Sequence, residues 1–170
     1  MKNVIVLPYD EKWKENFIAI KNELMEVLGN TVIGIEHVGS TSVAGLSAKP
    51  IIDIDVIISD YSVFPEIVTL LWSIGYIHEG DLGIKEREAF AYAGKEHLQA
   101  HHLYVCPENS EELRRHIVFR DFLRVNAEAV VKYGSTKEEA AKLFPQDIDK
   151  YMEFKATCIR ELYRQCGLEK

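Results

Sequence analysis

The sequence predicts an α+β fold, a mixed β-sheet with flanking helices followed by a helical C-terminal half. Three observations carry this. Four stretches before Pro107 are β-branched or alternate in polarity, at Thr31–Val38, Ile51–Ile58, Arg87–Ala93 and Leu98–Cys106. Helical spacing separates them at Asp10–Leu28 and Val63–Ile74. Beyond Pro107 every patterned segment is helical. No repeat, low-complexity tract or linker divides the 170 residues, so residues 1–170 are expected to form a single domain around one core.

Taken in order, Val4–Leu7 is a short apolar run stopped by Pro8, the pattern of an edge strand. Asp10 can cap the first helix, where Trp13, Phe17, Ile20, Leu24 and Val27 recur at helical spacing until Gly29-Asn30. Thr31–Val38 is a strand broken by Gly39-Ser40-Thr41-Ser42, and Lys49-Pro50 opens the strand Ile51–Ile58. Gly75 closes the second helix, and a turn around Gly94 joins Arg87–Ala93 and Leu98–Cys106 as an antiparallel pair. Helices are expected at Ser110–Asn126, Glu128–Tyr133, Lys137–Phe144 and Asp147–Gly167.

Charge and composition narrow the function. A net charge of −7 and a pI near 5.4, without a long Lys/Arg run, argue against general nucleic-acid binding, which needs a basic face. Cys106, Cys158 and Cys166 form no paired or zinc-ligand spacing and read as reduced structural thiols. Residues 1–8 are too short for a secretory apolar region, and no apolar run reaches the ~18 residues of a membrane span. A cytoplasmic location, away from membranes, is the expectation.

The chemistry concentrates between Ile35 and Val56. Side chains alternate along a strand, so Asp53 and Asp55 share one face while Ile52, Ile54 and Val56 take the other. Two adjacent carboxylates repel and are costly to desolvate, and a divalent cation relieves both problems. Mg²⁺ favours one or two carboxylates completed by phosphate oxygens and water. A Gly-Ser turn alongside supplies backbone N–H groups and a hydroxyl for a phosphate. The run Gly45-Leu46-Ser47-Ala48-Lys49-Pro50 is not a P-loop, because the Lys is not followed by Ser or Thr. Gly-Ser turns and half-exposed Asp-x-Asp strands also occur without any ligand.

With Val6-Leu7-Pro8-Tyr9-Asp10 and Trp13, the runs Ile35–Ser42 and Gly45–Asp53, His101-His102-Leu103 and Phe119-Arg120-Asp121-Phe122-Leu123-Arg124, the chain resembles the GrpB family. Tyr133 with Lys137, and Tyr151 with Lys155, extend the resemblance over nearly the whole chain. That family is placed in the polymerase-β-like nucleotidyltransferase superfamily, which implies a nucleotidyltransferase-like sheet. The resemblance implies nucleotide-phosphate binding at Gly39 and Ser40, and a divalent metal, Mg²⁺ or Mn²⁺, on Asp53 and Asp55; Thr41, next in the turn, is a further phosphate-binding candidate. Active superfamily members bring a third carboxylate from a later strand. Here the matching strand offers His101 and His102, with Glu88 as a substitute from its neighbour and Tyr104 where relatives often carry histidine.

His101 and His102 point to opposite faces of their strand. His101 shares its side with Leu103 and Val105 and reads as buried, which leaves His102 as the candidate catalytic histidine. His37 reads as structural. Arg120 and Arg124, one helical turn apart and braced by Asp121, can clamp phosphates, although an ordinary solvated helix face has the same pattern. Lys49 can neutralise a phosphate or lie along the strand.

Two readings lead. One is a metal-dependent transfer of a nucleoside monophosphate from an NTP to a small acceptor. The other is a non-catalytic domain that binds a nucleotide or phosphometabolite, motivated by the missing third carboxylate. Fusion of some relatives to the coenzyme A biosynthesis kinase links this second reading to coenzyme A metabolism. A protein-modifying nucleotidyltransferase ranks below both.

Overall fold

The computed structural model describes residues 2–169. Helix α1 (Lys12–Leu28) buries Trp13, Ile20, Leu24 and Leu28, a spacing that builds a single apolar face. Asp10 Oδ1 accepts the Lys12 N–H at 2.9 Å, satisfying a first-turn donor. A 3-10 turn at Gly29–Thr31 replaces the expected start of the first strand, and β1 covers Gly34–Val38. The chain continues through β2 (Ile52–Ile58), α2 (Phe64–Trp72), β3 (Tyr76–Gly80), β4 (Glu88–Tyr92) and β5 (His101–Pro107). Helices α3 (Glu111–Arg124), α4 (Ala127–Leu143) and α5 (Ile148–Gln165) complete it.

The five-stranded sheet has the order β1-β2-β5-β4-β3, with β2 and β5 parallel and the other neighbours antiparallel. Cross-strand partners share a face, so the register sorts the side chains. Ile52, Ile54, Val56 and Ile58 of β2 are fully buried, with Phe90, Leu103 and Val105 beside them under α1 and α2. Each such side chain contributes about 1.5–3 kcal/mol of burial. The pairs Glu36↔Asp55↔Tyr104 and Val38↔Asp53↔His102 occupy the opposite face. There Val43 and Leu46 of the β1–β2 connection pack with Leu123, Tyr133, Cys158 and Leu162 of the helical half.

Three expectations change. Val4–Leu7 makes one bridge, Leu7↔Ala48, rather than a strand, because Pro8 has no N–H to continue it. Strand β3 was absent from the pattern: Tyr76 is buried while Ile77 and Glu79 are exposed, and only pairing with β4 extends this short run. Helix α4 runs unbroken through Gly134. That glycine is buried against Leu46 and Ser47, and packing outweighs its helix penalty of about 1 kcal/mol. Among the described residues, no helix is long and apolar enough to cross a membrane.

Candidate functional site

The turn after β1 is shaped by a single glycine. Gly39 sits at φ 74 and ψ −175, a conformation open essentially to glycine. A Cβ there would lie 2.3 Å from Asp53 Oδ2, so the bare backbone of the turn packs directly on that carboxylate. Ser40–Ser42 form a 3-10 turn, held by the Ser42 N–H donating to Gly39 O at 3.1 Å. Thr41 is buried and its hydroxyl meets His37 Nε2 at 2.9 Å. His37 lies on the core side, stacked on Phe17, and burial pulls its pKa down to about 4. It is a neutral structural histidine, as its sequence context suggested.

Asp53 and Asp55 share the face opposite the core, but their environments differ. Asp53 is half-buried on the wall of a cleft of about 370 Å³, and its Oδ1 meets His102 Nδ1 at 2.9 Å. An ionised carboxylate can only accept, so Nδ1 donates in this bond, and in the neutral ring Nε2 is the nitrogen that can accept. Asp55 is wholly buried beneath α3. Its Oδ2 meets His116 Nδ1 at 2.6 Å, and His116 Nε2 lies 3.2 Å from Glu112. Burial favours the neutral imidazole, but the hydrogen bonds and charges of Asp55 and Glu112 prevail and raise His116 to about 9. Asp55 is itself pushed upward by burial, which His116 opposes. Its Oδ1 is buried with no partner.

Across the cleft, helices α3, α4 and α5 and the β1–β2 connection supply cations. Lys49, Arg115, Arg120, Lys137 and Lys155 line it, and Asp53 is its one acidic lining residue among those described. Lys137 is buried, hydrogen-bonds Ser40 Oγ, and lies 4.2 Å from the Tyr133 ring centroid. Burial, reinforced by the neighbouring charge of Lys155, holds its pKa well below the usual lysine range. Lys155 is buried over the Tyr151 ring at 4.4 Å, and burial followed by the charge of Lys49 lowers it to about 8. Neither ammonium has a carboxylate partner among the described residues. Buried unpaired lysines beside a serine turn suit an anion that arrives from solution.

The structure brings Gly39, Ser40, Thr41, Lys49, Asp53, His102 and Arg120 to one cleft, while Asp55 lies behind its wall. Arg120 is spent on the fold: Nη1 donates to Glu36 Oε2 at 2.7 Å and to His37 O at 3.1 Å. Arg124 donates through Nε and Nη2 to Ser42 O at 3.1 and 2.9 Å. Together these arginines hold the ends of the turn. Glu88 pairs in register with Val105 on the core-side face and lies 3.3 Å from His78, so it does not complete the carboxylate set. His101 is buried between Tyr76 and Tyr92, as its apolar neighbours implied. Sequence reasoning missed His116, and it assigned no role to Lys137 or Lys155. The i, i+4 spacing of Glu112, His116 and Arg120 was the one available signal for His116.

A divalent cation fits this donor set. Asp53 reaches the cleft, and the orphaned Oδ1 of Asp55 stands behind it. Among the described residues no group of three or more His, Cys, Asp or Glu side chains forms a cage. A set this sparse would need an ion that takes much of its coordination from water and phosphate, as Mg²⁺ does.

The family model described as GrpB protein matches residues 3–165. Protein YqkA of Bacillus subtilis is 31% identical over 159 residues, covering 94% of this chain and 46% of YqkA. The chain therefore spans about half of that relative's length. The crystal structure of conserved protein GrpB from Enterococcus faecalis has a TM-score of 0.80 at 32% identity, covering 95% of this chain and 98% of that one. The MgATP-bound Cid1 poly(U) polymerase has a TM-score of 0.53 at 12% identity over 77% of this chain and 45% of its own, a likeness of fold alone. A dephospho-CoA kinase of Mycolicibacterium paratuberculosis is 25% identical over 187 residues, 95% of this chain and 46% of the kinase.

Proposed function

The chain belongs to the GrpB family, and from that premise we propose that it transfers a nucleoside monophosphate from an NTP to the hydroxyl of a small acceptor. One observation carries the reading: the Ser40 turn, the Asp53 carboxylate and the unpaired Lys137 and Lys155 all face one cleft. The phosphate chain lies against Ser40 with Lys49, Lys137 and Lys155 neutralising it, in a partly desolvated site where charge pairing is strong. Asp53 and Asp55 would hold Mg²⁺ or Mn²⁺, which supplies charge neutralisation at the phosphates. The acceptor oxygen bonds to the α-phosphorus as the bond to the β-phosphate oxygen breaks and pyrophosphate leaves. The acceptor's proton passes to His102 Nε2, with Asp53 orienting the ring through Nδ1. His102 thus occupies the strand position at which a third carboxylate was expected.

The test is incubation of the protein with α-labelled NTPs, Mg²⁺ or Mn²⁺ and a metabolite pool. Labelled product is expected; absence of both product and NTP binding rejects the reading. Lys137→Met should keep or raise Tm, since it removes a buried amine whose charged form burial disfavours. It should weaken NTP binding about 10–100-fold, the loss of one buried charge contact. An unchanged affinity would displace the phosphate site from Ser40.

Binding should also depend on pH. Lys155 titrates near 8 in the free protein, and a bound anion raises that value. Affinity is then full below pH 8 and falls as pH rises above it. Calorimetry at about pH 8.5 in buffers of different ionisation enthalpy should reveal proton uptake on binding. Buffer-independent heats would exclude Lys155 from the contact.

A second reading, non-catalytic binding of a nucleotide or phosphometabolite, is favoured because among the described residues Asp53 is the one carboxylate that lines the cleft. It is also compatible with the similarity to a dephospho-CoA kinase. NTP or coenzyme A precursors bound with metal present, without label transfer to any acceptor, would select it.

A further inference from the structure

His102 lines two cavities. On one side is the cleft with its lysines. On the other is a groove of about 380 Å³ on the same sheet face, over β4 and β3. Helix α3 packs on β1 and β5, and among the described residues no helix residue lines the groove. Its floor is Ala89, in register with Tyr104, and Ala91, in register with Ile77. These small side chains leave the volume open. Leu82, 62% exposed, and Glu79 stand at the rim.

The two cavities differ in charge. Five Lys or Arg residues line the cleft, whereas among the described residues Glu79 is the one Asp, Glu, Lys or Arg lining the groove, histidines His101 and His102 aside. Arg87 lies over the Tyr104 ring at 4.3 Å but does not line the groove. A phosphorylated acceptor would meet repulsion here, in a chain of net charge −7.

The geometry points to this groove as the acceptor subsite, taking a hydroxyl compound that carries a cationic amine against Glu79 and no phosphate. The inference rests on the nucleotidyl-transfer reading and names its second substrate class. The amine sits at Glu79, the body of the acceptor lies on Ala89 and Ala91 beside Tyr104, and the reacting hydroxyl reaches His102 Nε2 at the junction with the cleft. There the O–P bond forms, the bond to the departing pyrophosphate breaks, and the hydroxyl proton moves to the imidazole. Charge segregation across one histidine keeps a second polyanion out of the acceptor position.

The experiment uses the full chain with α-labelled NTPs, Mn²⁺ and a metabolite extract resolved by ion exchange into cationic, neutral and phosphorylated pools. NTP binding is measured separately by calorimetry. Labelled product is expected from the cationic pool. Glu79→Gln should reduce transfer about tenfold, the loss of one charge-assisted contact. Ala91→Trp, which fills the groove, should abolish transfer. Both variants should bind NTP within about twofold of the parent, as expected for a separate subsite and a folded chain. Product chiefly from the neutral or phosphorylated pool, or undiminished transfer by Ala91→Trp with NTP binding intact, overturns the acceptor subsite and leaves nucleotidyl transfer standing. NTP binding without transfer to any pool also overturns the subsite and selects the binding-only reading. Absence of both NTP binding and transfer fails the parent reading, and the acceptor subsite with it.

Discussion

Asp55→Asn is expected to cost both stability and chemistry, whereas Asp53→Asn removes the chemistry alone. Asp55 is wholly buried against His116, and its removal leaves that imidazolium with Glu112 as its remaining acidic neighbour. Breaking a buried charge pair from one side costs about 3–5 kcal/mol. In a chain of this size that lowers Tm by roughly 6–20 °C. Asp53 is half-buried and paired with a half-exposed His102, so its replacement should change stability by less than about 1 kcal/mol. Both variants lose an oxygen that would hold the metal, and transfer should fall by about 10³-fold or more, some 4 kcal/mol of transition-state stabilisation. Thermal unfolding beside label transfer separates the two effects. Equal Tm losses would show that Asp55 is not braced by His116. Undiminished transfer by either variant would remove that carboxylate from the chemistry.

Gly39→Ala is expected to be nearly as damaging, although it adds one methyl group. The backbone at φ 74 and ψ −175 disfavours any Cβ by about 1–3 kcal/mol. The new Cβ would also stand 2.3 Å from Asp53 Oδ2 and 3.0 Å from Asp53 Cβ, so the carboxylate must move. Moving it breaks the 2.9 Å contact with His102 and displaces the oxygen proposed to hold the metal. Misplacement on the order of 1 Å costs roughly 10²-fold in transfer, while the fold survives. Retained far-UV circular dichroism with lost transfer is the expected pair of results. A fully active Gly39→Ala protein would mean that the turn and Asp53 do not act together.

Much of this site was legible because strand side chains alternate. Period two assigned Asp53 and Asp55 to one face, His102 and Tyr104 to one face, and His101 to the core. The glycine before Ser40 stood out for the same local reason, since few other residues tolerate its backbone. Less could be read of the helices. Arg120, expected to contact phosphate, faces β1 and braces the turn, and His116 was passed over although it closes Asp55 from solvent. Strand β3 was hidden because two of its five residues, Ile77 and Glu79, face the bare side of the sheet.

What the sequence determined by itself is local: a Gly-Ser turn, two acids on one strand face, a histidine on another, and the sheet-then-helix order. The tertiary structure alone decided that Lys137 reaches the turn and Lys155 the same cleft, that His116 neutralises Asp55, and that Glu88 faces away. The physical reason is that periodicity specifies which residues share a surface, while the charge and dielectric that surface meets depend on elements distant in the chain. Ser40 and Lys137 are 97 residues apart, and no local pattern spans that distance.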